Sequence, residues 1–206
     1  RFMKASPSSV DGRRRLVEML AATGKLARAQ ELVSEAIGLA PGDPQWFLAR
    51  GELESAQGRL ETAILAFEQA DRLRPDVTNI ERITELKLRR PAPDWQDILA
   101  GLRARNDDLK ASPYLQGAVA AAMYNAGDAR RGIDALRESY RSARTLVAAN
   151  PANGRPLDQW YATLRFIYPA SNTADAEKFV MEASDGKPST LDLRWLAEMW
   201  AASGAN

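Results

Sequence analysis

Residues 24–75, GKLARAQELVSEAIGLAPGDPQWFLARGELESAQGRLETAILAFEQADRLRP, say nearly the same thing twice. Gly24, Leu26, Ala29, Val33, Ala36, Leu39 and Pro41 are answered 34 residues later by Gly58, Leu60, Ala63, Phe67, Ala70, Leu73 and Pro75. Residues three, four and seven apart share a helix face, so Ala29, Val33 and Ala36 form one stripe and Ala63, Phe67 and Ala70 another. The alanines let two helix axes approach, while Val33 and Phe67 fill the space between turns, as in the packing of an antiparallel helix pair. Gly24 and Gly58 stand where a first helix must end and reverse, a position that favours positive φ. Pro41 and Pro75 then stop the second helix. Repetition at a fixed period in the range of roughly 20–50 residues marks a solenoid of stacked supersecondary units.

Composition narrows the function. The 206 residues are 45% hydrophobic and 27% charged, enough for a sizeable core, and no apolar run reaches membrane-spanning length. Lys plus Arg at 28 against Asp plus Glu at 27 gives a net charge of +1, which argues against a dedicated nucleic-acid binder. The triplet Arg13, Arg14 and Arg15 reads as a solvated face. Zero Cys and zero His remove disulfides, thiolate sites, the commonest metal ligand and the commonest general base. No phosphate-binding glycine loop is present, and the acid pairs Glu52 with Glu54 and Asp107 with Asp108 read as solvated helix surface. The chain is expected to be no enzyme and to need no cofactor or metal. Its compartment stays open, cytoplasmic or periplasmic, because Arg1 is not an initiator methionine and a targeting segment upstream is compatible with the sequence.

Along the chain, residues 1–9 read as the last turn of a preceding second helix, with Phe2 in the slot of Ala36. Repeats follow at 10–43 and 44–77, the latter with Trp46, Phe47 and Gly51 in its first helix. Residues 78–112 form a degenerate unit whose turn is Pro91-Ala92-Pro93, which fixes φ and marks a soft joint. Asp94 is placed to cap a helix carrying Trp95, Ile98, Leu99 and Leu102. A unit at 113–150 opens at Ser112-Pro113 and has a second helix of about twenty residues, since no breaker precedes Asn150-Pro151. Residues 157–190 repeat the spacing in Ala176, Val180 and Ala183. The incomplete unit 191–206 is expected to turn Leu193, Leu196 and Trp200 inward, leaving that face partly open for self-association.

The 34-residue period and the alanine, aromatic and glycine slots resemble the tetratricopeptide repeat (TPR) family. The resemblance implies an all-α, right-handed α-solenoid of about five helix pairs plus a terminal helix, one continuous array over 1–206. It implies first helices lining a concave surface that holds a protein or peptide. Carried over slot by slot, that surface is Arg14, Glu18 and Ala21, then Leu48, Glu52 and Ser55, then Tyr114, Gly117, Ala121 and Tyr124, then Asp158, Tyr161, Arg165 and Tyr168. Four of the five tyrosines fall there, which points to a tyrosine-lined groove for an extended segment with an acidic or aromatic residue. The lysine and asparagine clamp of chaperone-binding TPRs is absent, since Arg14 is followed by Glu18. The function expected is a non-enzymatic protein-protein interaction scaffold. The alternative is a structural or assembly segment of a larger multidomain protein or an export or secretion complex.

Overall fold

The structure, a computed structural model, describes residues 10–204, so the expectation for Phe2 lies outside the described residues. Twelve α-helices and one 3₁₀ turn account for the regular structure, and no strand occurs among the described residues. They fall into two compact units, one up to Pro93 and one from Asp94, where the sequence suggested a single array.

The first unit contains α1 (Val10–Ala22), α2 (Leu26–Leu39), α3 (Pro44–Ala56), α4 (Leu60–Leu73) and α5 (Val77–Leu88). Its local signals work as the sequence dictates. Asp43 and Asp76 accept hydrogen bonds from the backbone N–H groups of Gln45 and Thr78, capping α3 and α5, and Pro44 occupies the first turn of α3. Gly24 and Gly58 both adopt φ +73°, the left-handed conformation that ends one helix and admits the next. The two stripes are the core: Ala29, Val33, Ala36, Ala63, Phe67 and Ala70 are all at most 3% exposed. Burying Phe67 alone contributes about 2–3 kcal/mol. Its ring lies so close to Gly51 that a Cβ there would sit 2.7 Å from ring carbons, so the α3–α4 approach depends on the missing side chain.

The second unit contains α6 (Trp95–Arg103), the short α7 (Asn106–Ala111), α8 (Pro113–Asn125), α9 (Ala129–Ala149), α10 (Arg155–Leu164), the 3₁₀ turn Ala170–Asn172, α11 (Thr173–Ala183) and α12 (Thr190–Ala202). Asp94 accepts from the Asp97 N–H and Ser112 from the Leu115 N–H, so the expected caps form. The helix α9, at 21 residues, carries Leu136, Tyr140 and Ala143 fully inward. Its packing against α8 is the most extensive in the chain.

Three sequence expectations change. Residues 78–112 do not make one hairpin: α5 packs on α4 in the first unit, whereas α6 packs on α8 in the second. The division falls at the Pro91-Ala92-Pro93 turn. In α12 the inward residues are Asp192, Leu196 and Met199, while Leu193 is 53% exposed. The reason is Asp192, which caps α12 together with Ser189 and whose inward side chain sets the helix's rotation. Finally, α10 stops at Leu164, so Tyr161 and Tyr168 do not share a helix face. Pro169 disfavours helical backbone at Tyr168.

Candidate binding site

Two separate clefts gather the residues expected on the concave surface. The first, of about 480 Å³, lies wholly in the first unit, between α1 and α3 with Arg82 of α5 at its edge. It brings together Arg14, Glu18, Leu48 and Glu52, all four of the candidates in this unit. Its floor includes Val17 and Leu53, each 4% exposed, with Ala21, Leu48 and Ala49 half-buried around them. The rim charges are mutually compensated. Arg82 donates to Glu52 at 2.7 Å, while Arg14 lies 3.5 Å from Asp11 and 3.9 Å from Glu18. The result is an apolar trough with a neutral, polar edge, suited to an apolar side chain flanked by peptide backbone.

Arg82 was absent from the candidates, yet a signal existed. Arg14, Leu48 and Arg82 stand at successive intervals of 34 residues, so extending the period one unit further finds it. Its guanidinium also lies 5.4 Å from the centroid of the Phe67 ring, a cation–π contact that fixes it at the edge of the cleft.

Glu54 corrects the reading of the Glu52 and Glu54 pair as solvated surface. It is only 8% exposed and accepts from the Arg59 guanidinium, from Thr62 Oγ1 at 3.0 Å and from Gln30 Nε2 at 3.1 Å. The Arg59 hydrogen bond, helped by Thr62, holds its carboxyl below the usual carboxylate pKa. Three donors committed to one buried carboxylate make it a structural clamp between α3, α4 and α2.

The second cleft, of about 330 Å³, lies in the second unit and is lined by Asp158, Tyr161, Arg165, Tyr168, Arg194 and Trp195 among others. Here the tyrosine groove is corrected in part. Tyr161 is 2% exposed, its ring stacks on Trp195 at 4.5 Å, and its hydroxyl donates to the fully buried Asp192. Tyr114 is 9% exposed and lines neither this cleft nor a neighbouring hollow. Tyr124 and Tyr168 meet in that hollow, of about 340 Å³, beside Arg137 and Lys178. The four rings therefore do not converge on one patch. Arg165 remains exposed at the cleft, its guanidinium 5.3 Å from the centroid of the Phe166 ring.

Beneath this cleft lies a polar junction. Asp192 accepts from Tyr140 at 2.9 Å as well as from Tyr161, and Arg144 donates to the Tyr140 hydroxyl at 3.4 Å. Burial first, and the Asp192 carboxylate second, push the Tyr140 hydroxyl pKa far above its ordinary value; Tyr161 shifts the same way, with burial again the larger cause. A proton held that firmly serves as a hydrogen-bond donor and has no acid–base role near neutral pH. Trp195, which walls the cleft, carries a signal of its own at 34 residues beyond Tyr161.

No protein-family model and no curated protein matches the chain. Among solved structures, YrrB, described as a TPR protein with an unusual peptide-binding site, superposes with a TM-score of 0.54 over 93% of this chain and 94% of that chain, at 14% identity. The chain thus has a TPR fold, in agreement with the 34-residue period and the glycine and alanine slots. No helix among the described residues is long and apolar enough to cross a membrane.

Proposed function

We propose that this chain is a non-enzymatic protein-interaction scaffold that holds a peptide segment or partner protein along the first helices α1 and α3, at the edge of α5. The observation that carries the reading is the convergence of Arg14, Glu18, Leu48 and Glu52 on one apolar-floored cleft. Solenoids of stacked helix pairs use extended surfaces of this kind for binding, and YrrB is a precedent on this fold for a peptide site. Half-buried Leu48 is the central apolar contact, with the Glu52–Arg82 pair ready to exchange hydrogen bonds with a peptide backbone. In the second unit, Arg165 and Tyr168 offer a separate contact for an acidic or aromatic side chain.

The test is a random-peptide display selection on the whole chain, followed by calorimetry of the selected peptides. Leu48→Ala should weaken binding about tenfold, equivalent to about 1.4 kcal/mol, with thermal melting confirming that the variant is folded. Selected peptides that bind this variant as tightly as the parent chain would show that the cleft is not the site.

A further inference from the structure

The chain contains an internal standard for what covers a first helix. In α1, α3 and α8 the reversal glycine, Gly24, Gly58 and Gly127, stands two residues beyond the helix end and has positive φ. Gly204 stands two residues beyond the end of α12, with φ +69°. Counting back seven residues from each glycine gives Val17, Gly51, Ala120 and Ala197. The first three are buried; Gly51 meets the Phe67 ring of α4, and Ala120 faces Gly132 of α9. Ala197 is exposed. Eleven residues before Gly204, Leu193 is 53% exposed, and four before it Trp200 is half-buried, its indole N–H reaching Glu177 at 3.3 Å.

From this equivalence we infer that the Leu193, Ala197 and Trp200 face of α12 is a seat for one amphipathic helix of a partner polypeptide, bearing a small–large–small stripe. The three covered first helices define the occupant's chemistry. Their second helices present Ala29, Val33 and Ala36, Ala63, Phe67 and Ala70, or the small Gly132 of α9. Ala197, small between two large apolar neighbours, leaves room for a large residue of the incoming helix, as Gly51 does for Phe67. A second folded copy of this chain does not supply such a stripe, because Ala29, Val33, Ala36, Ala63, Phe67 and Ala70 are at most 3% exposed within their own hairpins.

The probe is a synthetic peptide with the sequence of residues 59–74, the α4 helix with its flanking arginines. It is titrated into the whole chain while tryptophan fluorescence, peptide helicity and sedimentation are followed. Saturable one-to-one binding with a gain in helicity is expected. Ala197→Arg, a substitution at an exposed position, should weaken it at least about tenfold. The same peptide with leucine at both alanines of its stripe should not bind. Absence of binding, or binding equally strong to the Ala197→Arg chain, overturns the proposal. A dimer of the chain alone that Ala197→Arg dissociates would assign the face to a second copy instead, and would equally overturn it.

Discussion

Each unit buries one carboxylate, and the two do so by opposite means. Glu54 in the first unit is held by Arg59 and Thr62, five and eight residues along the chain, and by Gln30 across the hairpin. Its guanidinium partner is 45% exposed, so water shares the charge. Asp192 in the second unit is fully buried and is held by Tyr161 and Tyr140, 31 and 52 residues away. The first arrangement is a local clamp on helices already paired by alanine stripes. The second ties α9, α10 and α12 together through hydroxyls that have no other way to be solvated. A repeat that packs by small apolar residues can therefore afford a polar accessory, whereas the second unit is organised around one.

The largest effect expected from this contrast is at Asp192. Asp192→Ala leaves two buried hydroxyls without their acceptor and removes an N-terminal cap, and should destabilise the second unit by about 3–5 kcal/mol. Glu54→Ala should cost about 1–2 kcal/mol, because the groups it releases reach solvent. Urea unfolding separates the two, since Trp46 reports on the first unit and Trp95, Trp160, Trp195 and Trp200 on the second. Equal losses would erase the distinction.

A second contrast uses the same substitution in each unit. A Cβ at Gly117 would lie 2.1 Å from the Oγ1 of buried Thr163, which itself donates to the Trp160 carbonyl. At Gly51 the nearest atoms are ring carbons at 2.7 Å. Gly117→Ala should cost about 3 kcal/mol and Gly51→Ala nearer 1 kcal/mol, as overpacking does when the obstacle is fixed or able to shift. Thermal melting of the two variants gives the order.

Opposite pH limits should follow. All five tyrosines lie in the second unit, and Tyr140, Tyr161 and Tyr168 hold their protons more firmly when folded, Tyr168 up to about 12 chiefly through burial. Their contribution is full below the free tyrosine pKa of about 10 and is lost as pH rises above it. In the first unit, Glu54 and Asp76 have lowered pKa values, from hydrogen bonds donated by Arg59 and by Thr78. Their contribution is present above the ordinary carboxylate range and lost as pH falls through it. Fluorescence-monitored melts at pH 9 and pH 11 should show the second unit weakening more than the first. The smallest effect expected is at the exposed Arg90–Glu61 pair, where Glu61→Gln should cost less than about 1 kcal/mol despite two hydrogen bonds of 2.8 and 2.6 Å.

The same contrast explains what could be read in the sequence. The stripes Ala29, Val33, Ala36 and Ala63, Phe67, Ala70, with the turns at Gly24 and Gly58, were legible because their physics is local and repeats. Arg14, Glu18, Leu48 and Glu52 came together for that reason, and Arg82 was within reach of the same period. Tyr161 was not legible as core. Its acceptor sits on another helix 31 residues away, and a buried hydroxyl looks like an exposed one until its partner is placed. The end of α10 was legible in Pro169, had its effect on Tyr168 been weighed against the hydrophobic spacing of Trp160, Leu164 and Ile167.

The length of α9 bears on which insertions such a chain tolerates. It has 21 residues where α2 and α4 have 14, a difference of one heptad. Seven residues fall only about 20° short of two full helical turns. Added or removed as a block, they leave Ile133, Leu136, Tyr140, Ala143 and Val147 in a single continuous stripe. A block of five would rotate everything beyond it by about 140° and turn Ala143 and Val147 toward water. Length variation in the second helices of such a chain is thus expected to come in steps of seven, a helical reading frame enforced by packing.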